Sequence, residues 1–137
     1  MKALTSTVNI LNTNCRFQKD RRLLNAGQFK NVFDHVNCKQ SGKYFTFLST
    51  SSPQAKHRLG LIIAKKHIPL SVNRNKIKRI IRESFRQQLN QNLVNSKMTS
   101  FDVIVLAKSS ARQLDNAQLN EELTKQWLRL IAKRQKI

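Results

Sequence analysis

Two uninterrupted apolar runs place the tightest limit on how this chain can fold. Residues 58–65 contain the segment Leu-Gly-Leu-Ile-Ile-Ala, and Phe101–Ala107 reads Phe-Asp-Val-Ile-Val-Leu-Ala. Near-continuous apolar runs of this kind are typical of strands buried on both faces of a sheet. The segment between the two runs is long enough for the crossover that a parallel pair of strands requires. The pattern predicts that both strands belong to a single α+β domain.

Two capping boxes mark the first and last helices of that domain. Asn25 precedes Gln28 by three residues, and Asp115 precedes Gln118 by the same spacing. In each pair the first side chain can accept a hydrogen bond from the backbone N–H of the glutamine. The glutamine side chain can in turn accept one from the backbone N–H of the first residue. Apolar residues then recur at helical spacing: Phe29, Val32, Phe33 and Val36 after the first box, and Leu119, Leu123, Trp127, Leu130 and Ile131 after the second. We predict a helix over residues 26–36 and a final helix after Asp115.

Two further segments complete the predicted organisation. Residues 43–50 are rich in aromatic and β-branched side chains and precede Ser51-Ser52-Pro53, which predicts a strand followed by a turn. Residues 1–20 are dominated by Thr, Ser and Asn without a periodic apolar pattern. We expect them to form a flexible N-terminal extension ahead of one domain spanning residues 21–137.

Charge is the strongest feature of the composition. Twenty-six Lys and Arg residues oppose seven Asp and Glu, giving a formal net charge of +19. So much positive charge repels itself in a compact chain, and a polyanion such as nucleic acid would neutralise it. A membrane surface would instead require a basic amphipathic helix with exposed Trp, Phe or Leu, and none is left once the core is filled. We therefore predict a nucleic-acid partner and no membrane association.

The cysteines and apolar segments indicate a cytoplasmic protein. Cys15 and Cys38 lack metal-ligand spacing and are too few for a disulfide framework, so both are predicted to be reduced thiols. No stretch approaches 18 consecutive apolar residues, and the polar N-terminal segment is unlike a signal peptide.

Residues 73–93 form the predicted basic helix. On a helical wheel, Ile77, Ile80 and Ile81 fall on one side. The opposite side carries five cations and one asparagine within about 140° of one another: Arg74, Asn75, Lys78, Arg79, Arg82 and Arg86. Glu83 is its only acidic residue. A helix of this kind can anchor its isoleucines on a sheet and present its cations to phosphates. The alternative is a solvated basic face without a function.

The aromatic residues leave two interpretations open. Strand alternation puts Phe45 and Phe47 on one face of the strand over residues 43–50. If that face is covered, both belong to the core. If it is open, they form, together with Phe29 and Phe33, a platform on which unpaired bases stack.

Catalytic residues are not expected in the chain itself. Metal-assisted phosphodiester cleavage requires clustered carboxylates, and the seven acidic residues are scattered along the sequence. His35, His57 and His67 form no pair at catalytic or metal-ligand spacing. A structural RNA binder, such as a ribosomal protein or an RNA chaperone, stays open. A DNA-binding regulator would need base-reading side chains and a dimer seam, which this uniformly basic helix does not indicate.

Residues 74–79, Arg-Asn-Lys-Ile-Lys-Arg, resemble the R-N-R-x-K-R signature of bacterial ribonuclease P proteins. The segments around it are similar to that family in the same order, from about residue 21 to residue 131: the first helix, the run ending in Lys65-Lys66, and the strand Phe101–Ala107. The resemblance implies an α-β-β-β-α-β-α domain with a central mixed sheet, of the ribosomal protein S5 domain 2-like kind. It also implies a left-handed βαβ crossover, against the usual right-handed rule.

The resemblance further implies a subunit of ribonuclease P, which removes 5′ leaders from precursor tRNA. Its partners would be the catalytic RNA, which carries the chemistry and holds most of the Mg²⁺, and precursor tRNA, with no further protein required. RNA contacts are implied for Lys65, Lys66, Arg74, Asn75, Lys76, Lys78, Arg79, Arg82 and Arg86, and a leader-binding cleft for Phe29, Phe33, Phe45 and Phe47. Lys76 replaces the family's usual Arg, which keeps the charge but loses a bidentate fork. Phe47 lacks the hydroxyl of the Tyr found in some relatives.

Overall fold

The computed structural model describes residues 21–53, 56–90 and 100–136. Within them the elements run α1 (Ala26–Asp34), β1 (Cys38–Ser41), β2 (Phe45–Ser51), β3 (Arg58–Ile62), α2 (Ser71–Gln88), β4 (Phe101–Ala107), a 3₁₀ turn (Ser109–Gln113) and α3 (Asn116–Arg134). This confirms the predicted α-β-β-β-α-β-α order. Within these residues, β1 and the 3₁₀ turn are the elements that the residue pattern had not located. The proposed N-terminal extension lies outside the described residues.

The strands form one mixed sheet in the order β1-β2-β4-β3. β2 pairs antiparallel with both β1 and β4, whereas β3 pairs parallel with β4, with Leu59 opposite Val103. The helix α2 lies in the connection between the two parallel strands, as the two apolar runs predicted. The left-handed sense of this crossover stays a prediction.

The two faces of the sheet are covered differently. α2 and α3 pack on one face, where Phe45, Phe47, Phe85, Phe101 and Trp127 are all fully buried. Alternate strand residues point to the other face, where α1 lies on β2 and β4 and a smaller cluster forms. That cluster contains buried Leu23, Val32 and Ile104, with Phe29, Leu48, Ile62 and Leu106 partly buried around it. The smaller cluster leaves part of its face open.

The predicted capping boxes differ in how completely they form. The Asp115 carboxylate accepts from the Gln118 N–H at 2.8 Å, and Gln118 Oε1 accepts from the Asp115 N–H at 3.0 Å, which confirms the second box. At α1, Asn25 Oδ1 accepts from the Gln28 N–H at 2.9 Å. The Gln28 side chain, however, accepts from the Leu24 N–H and not from that of Asn25. At α1, therefore, only one of the two hydrogen bonds of the predicted capping box forms.

A buried ion pair joins the two parallel strands. Arg58 donates from Nε to Asp102 Oδ1 at 2.8 Å and from Nη2 to Oδ2 at 2.6 Å, and the two residues face each other in the strand register. This hydrogen bonding raises the pKa of Arg58. Both side chains are buried, so each charge needs the other as its counter-ion.

Candidate nucleic-acid interface

The helix α2 is anchored by its isoleucines, as the wheel predicted. Ile77, Ile80 and Ile81 are buried against the sheet, whereas Asn75 and Arg79 are exposed and Lys76 is half-buried. The helix begins at Ser71, two residues earlier than expected, and Leu70 caps it without a side-chain hydrogen bond. The predicted end at residue 93 lies outside the described residues. The fold therefore leaves cations of this helix accessible to a polyanion.

Arg74, the first residue of the signature, is engaged by the chain itself. Its Nη1 donates to the carbonyl oxygens of Ile68 at 3.0 Å and Pro69 at 2.7 Å. These bonds tie α2 to the preceding turn, which carries the exposed side chains of Lys65 and Lys66. Arg74 thus holds two predicted RNA-binding lysines beside the helix, in addition to offering its remaining donors.

Arg86, the last cation of the predicted set, pairs with Glu83 one turn earlier on the same helix. Its Nε donates to Glu83 Oε2 at 3.0 Å, and its Nη2 donates to Oε1. This bidentate hydrogen bonding lowers the pKa of Glu83. The guanidinium fork that would grip a phosphate is therefore occupied within the helix.

Lys78 and Arg82 line a small cavity at the outer edge of β3. The cavity has a volume of about 150 Å³ and is also lined by Arg22, Leu23, Phe29, Leu59, Gly60 and Leu61. Burial lowers the pKa of Arg82, and the nearby charge of Arg22 lowers it further. Arg22 was not in the predicted set, because its place beside α2 depends on the parallel bridge that it forms with Leu59.

A larger cleft, of about 690 Å³, opens on the face of the sheet that α1 covers only in part. Its floor is formed by Thr46, Leu48, Ile62 and Leu106, with Ala64, Ala107 and Ser110 alongside. Three lysines also line it, Lys39, Lys66 and Lys108. His67 and Ser109 close one side, with His67 Nδ1 and Ser109 Oγ 2.9 Å apart. This arrangement combines an apolar floor with cations.

The assignment of Phe45 and Phe47 to this cleft was wrong. Both rings are fully buried on the opposite face of β2, where Phe47 meets Trp127 edge-on with ring centroids 4.5 Å apart. The reason is strand alternation, because α2 and α3 cover the face that carries the odd-numbered residues. Thr46 and Leu48 take the cleft face in their place. The core interpretation that the sequence had left open holds for this pair.

The other two phenylalanines lie on α1. Phe29 is half-buried, packs against the smaller cluster and lines the cavity beside Arg82. Phe33 is 45% exposed, which is unusual for a large apolar ring. Lys39 and Lys108 were missed as cleft residues. The alternation of Lys39 with buried Cys38 and Gln40 could have placed Lys39 on the open face.

A family model described as Ribonuclease P matches residues 17–131. The chain belongs to the ribonuclease P protein family. Curated relatives named ribonuclease P protein component include one from Pseudomonas aeruginosa, 39% identical over 86% of this chain and 83% of its own length. Another, from Azotobacter vinelandii, is 40% identical over 86% of both chains.

Solved structures agree with this assignment. The RNase P protein of Staphylococcus aureus is 27% identical, covers 83% of this chain and 96% of its own, and superposes with a TM-score of 0.68. The RNase P protein of Thermotoga maritima, 24% identical with a TM-score of 0.59 over 76% of this chain, shares the fold. This ribonuclease P protein is therefore a subunit of the endoribonuclease that acts in tRNA processing. Its family decides against the ribosomal-protein, RNA-chaperone and DNA-regulator alternatives.

Two properties of the described residues concern membranes and metal ions. No described helix is long and apolar enough to cross a membrane. Within the same part of the chain, no three His, Cys, Asp or Glu side chains are grouped so that they could hold a metal ion.

Proposed function

We propose that this ribonuclease P protein binds RNA through two surfaces, which meet at Lys66. The basic face of α2, with the turn that carries Lys65 and Lys66, binds the catalytic RNA. The cleft over Thr46, Leu48, Ile62 and Leu106 binds the single-stranded 5′ leader of precursor tRNA. The observation that supports this division most directly is that cations occur both on α2 and around an apolar cleft on a different part of the sheet.

The lining of the cleft favours an unpaired strand over a duplex. A duplex hides the faces of its bases, whereas a single strand can lay them on an apolar floor while its phosphates meet cations. Leu48, Ile62 and Leu106 supply the floor, and Lys39, Lys66 and Lys108 supply positive charge. Aliphatic side chains contact any base without reading its edge, so we expect the cleft to tolerate many leader sequences.

The chemistry of leader removal belongs to the RNA subunit in this proposal. The resemblance to the family supports a holoenzyme in which Mg²⁺ is held mainly by RNA, in the cytoplasm and without a further protein. The protein's part is to offset phosphate repulsion between the catalytic RNA and the precursor, and to hold the leader. Both effects weaken as salt rises, because each neutralised phosphate releases counterions.

Thr46→Glu tests the cleft by placing a negative charge on its floor. We expect the holoenzyme, reconstituted with a bacterial ribonuclease P RNA, to lose about tenfold in affinity for precursor tRNA because the added carboxylate repels leader phosphates. Affinity for mature tRNA should stay unchanged. Asn120→Glu, on the exposed side of α3, is the matched control and should leave both affinities unchanged.

The same assay separates the two surfaces. The Thr46→Glu chain should still assemble with the catalytic RNA and support cleavage at low Mg²⁺ when precursor is saturating. Equal losses for precursor and mature tRNA would remove the cleft from leader binding. Failure of the unchanged chain to restore leader cleavage would remove the proposal as a whole.

A further inference from the structure

His67 and Ser109 meet at the rim of the cleft, beyond the ends of the two parallel strands. β3 and β4 end at the same edge of the sheet, with Ile62 opposite Leu106. The turn after β3 carries His67, and the chain directly after β4 carries Ser109. His67 Nδ1 and Ser109 Oγ lie 2.9 Å apart, within hydrogen-bond distance, and both residues line the cleft. The topology of the sheet thus brings together two polar side chains that are 42 positions apart in the sequence.

Backbone hydrogen bonds hold the two segments that carry this pair. The backbone N–H of His67 donates to a carbonyl three residues earlier at 3.1 Å, and the next residue, Ile68, is fully buried and anchors the turn. On the other side, the backbone N–H of Lys108 donates to the Tyr44 carbonyl at 2.9 Å, directly before Ser109. The pair is therefore positioned by the fold and is not a contact between two free side chains.

The contact with the hydroxyl uses one ring nitrogen of His67 and leaves the other for a ligand. A neutral imidazole has one donor and one acceptor nitrogen, and a serine hydroxyl can donate or accept. If the Ser109 hydroxyl donates to Nδ1, then Nε2 carries the ring proton and donates to the ligand. If Nδ1 donates to Ser109, then Nε2 accepts. A ligand group that can both donate and accept, such as a hydroxyl, matches the pair in either state.

The other groups of a leader nucleotide have counterparts elsewhere in the cleft. Leu48, Ile62 and Leu106 form an apolar floor for the faces of the bases, and the lysines that line the cleft suit the phosphates. The Ser110 hydroxyl, which also lines the cleft, donates within the chain to the Lys43 carbonyl at 2.7 Å. The remaining group is the ribose 2′-hydroxyl, which every RNA nucleotide carries and which both donates and accepts.

We propose that His67 hydrogen-bonds a ribose 2′-hydroxyl of the leader through Nε2, and that Ser109 positions its ring. This inference rests on the leader binding proposed above and names the sugar as a part of the leader that the cleft recognises. The 2′-hydroxyl is the group by which a protein distinguishes RNA from DNA at a given site. The cleft should therefore prefer a ribose leader to a deoxyribose leader, with little dependence on base sequence.

The test compares precursor tRNAs that differ only in the sugars of the leader. One leader is all ribose, a second is 2′-deoxy except at the nucleotide next to the cleaved bond, and a third carries 2′-fluoro at the same positions. The reconstituted holoenzyme should bind the ribose leader about threefold to tenfold more tightly than the other two, the effect of one hydrogen bond. Equal affinities for the three leaders would overturn the proposal.

Three substitutions locate the preference at the pair. His67→Asn places an amide near the position of Nδ1, so it can contact Ser109 but cannot reach the leader, and the ribose preference should vanish. His67→Gln places its amide near the position of Nε2 and should retain most of the preference. Ser109→Ala leaves Nε2 without its positioning partner and should retain only part of it. Each chain is compared with itself on two leaders, so a general change in folding or assembly cancels.

Thr124→Ala is the matched control, because it removes a hydroxyl that donates within α3 to the Asn120 carbonyl at 2.8 Å. It should keep the full ribose preference. A preference that persists in His67→Asn would belong to another part of the holoenzyme and would overturn the assignment. In that case the proposed function stands, provided that the ribose precursor binds more tightly than mature tRNA. If the ribose precursor binds no more tightly than mature tRNA, leader binding itself is wrong, and this contact with it.

Discussion

β2 carries two kinds of residue that alternate along a single strand. Phe45 and Phe47 point into the core under α2 and α3 and are fully buried, whereas Thr46 and Leu48 point to the other face and line the cleft. The strand is the same and its backbone pairing is the same, so only the helices that cover each face make the difference. The larger, aromatic side chains therefore stabilise the core, and the smaller ones line the open cleft.

The second face is itself divided along its length. At one end Arg58 and Asp102 form a buried ion pair, and α1 packs over the strands nearby. At the other end the cleft stays open, with Lys66, Lys108 and the pair of His67 and Ser109 around it. One sheet thus combines a closed end held by an internal ion pair with an open end, where Lys108 donates to the Gly42 carbonyl at 2.5 Å and the Lys66 side chain is exposed.

Phe47→Ala and Leu48→Ala test the division within β2 most strongly. Loss of the buried Phe47 ring should cost about 3–5 kcal/mol of the free energy of unfolding, because it removes contacts with Trp127 and leaves a cavity. Leu48→Ala should cost less, since Leu48 is only half-buried, but should lower holoenzyme affinity for precursor relative to mature tRNA. Denaturant unfolding and precursor binding measure the two effects. If Phe47→Ala kept its stability but bound precursor tRNA weakly, the assignment of Phe47 to the core and of Leu48 to the cleft would be wrong.

Asp102→Asn tests the closed end of the second face. The amide keeps the shape of the side chain but leaves the Arg58 guanidinium buried without its anion, so we expect a loss of about 3 kcal/mol or more. Glu121→Gln is the matched control, because its contact with Lys125 on α3 is exposed and such pairs contribute less than about 1 kcal/mol. Chemical denaturation measures both. A loss no larger than that of the control would show that the pair is dispensable.

Sequence patterns predicted what depends on local spacing. The limits of β4, the capping box at Asp115 and the buried isoleucines of α2 follow from residues close together in the chain, and the structure confirms all three. The face of β2 that stays open could not be predicted in this way, because it depends on where α1, α2 and α3 pack. The hydrogen bonds from Arg74 to the carbonyl groups of Ile68 and Pro69 could not be predicted from the sequence pattern either.

The lining of the cavity beside Arg82 could not be predicted from the sequence either. Arg22 is about sixty residues from Arg82 in the sequence, and only the bridge between Arg22 and Leu59 brings the two together. A helical wheel of α2 shows that Arg82 faces outward but not what lies opposite it. Tertiary pairing at a sheet edge, and not the motif itself, decides which residues line this cavity.

His57 gives a smaller, pH-dependent test of the covered face. Its ring packs on Phe101, and its Nδ1 accepts from the Phe101 N–H at 3.2 Å, which requires an unprotonated nitrogen. Burial, helped by the charges of Arg21 and Arg134 and opposed by that of Asp102, lowers the pKa of His57 to about 4. The unfolded chain binds this proton near the ordinary histidine pKa of about 6.5. The stabilisation is therefore complete above pH ~6.5 and is lost as the pH falls toward 4, by at most about 3 kcal/mol.

His57→Gln isolates that contribution, because every other titrating group is shared with the unchanged chain. We expect the difference in unfolding free energy between the two chains to shrink steadily from pH 7 to pH 4. Over this range the unfolded form of the unchanged chain takes up a proton at His57 that its folded form does not bind. Parallel pH profiles would mean that His57 is protonated equally in the folded and unfolded chains, and that the covered face is open to water at this end. The cleft on the opposite face should be indifferent to the substitution, so precursor affinity measured at pH 7 should stay the same.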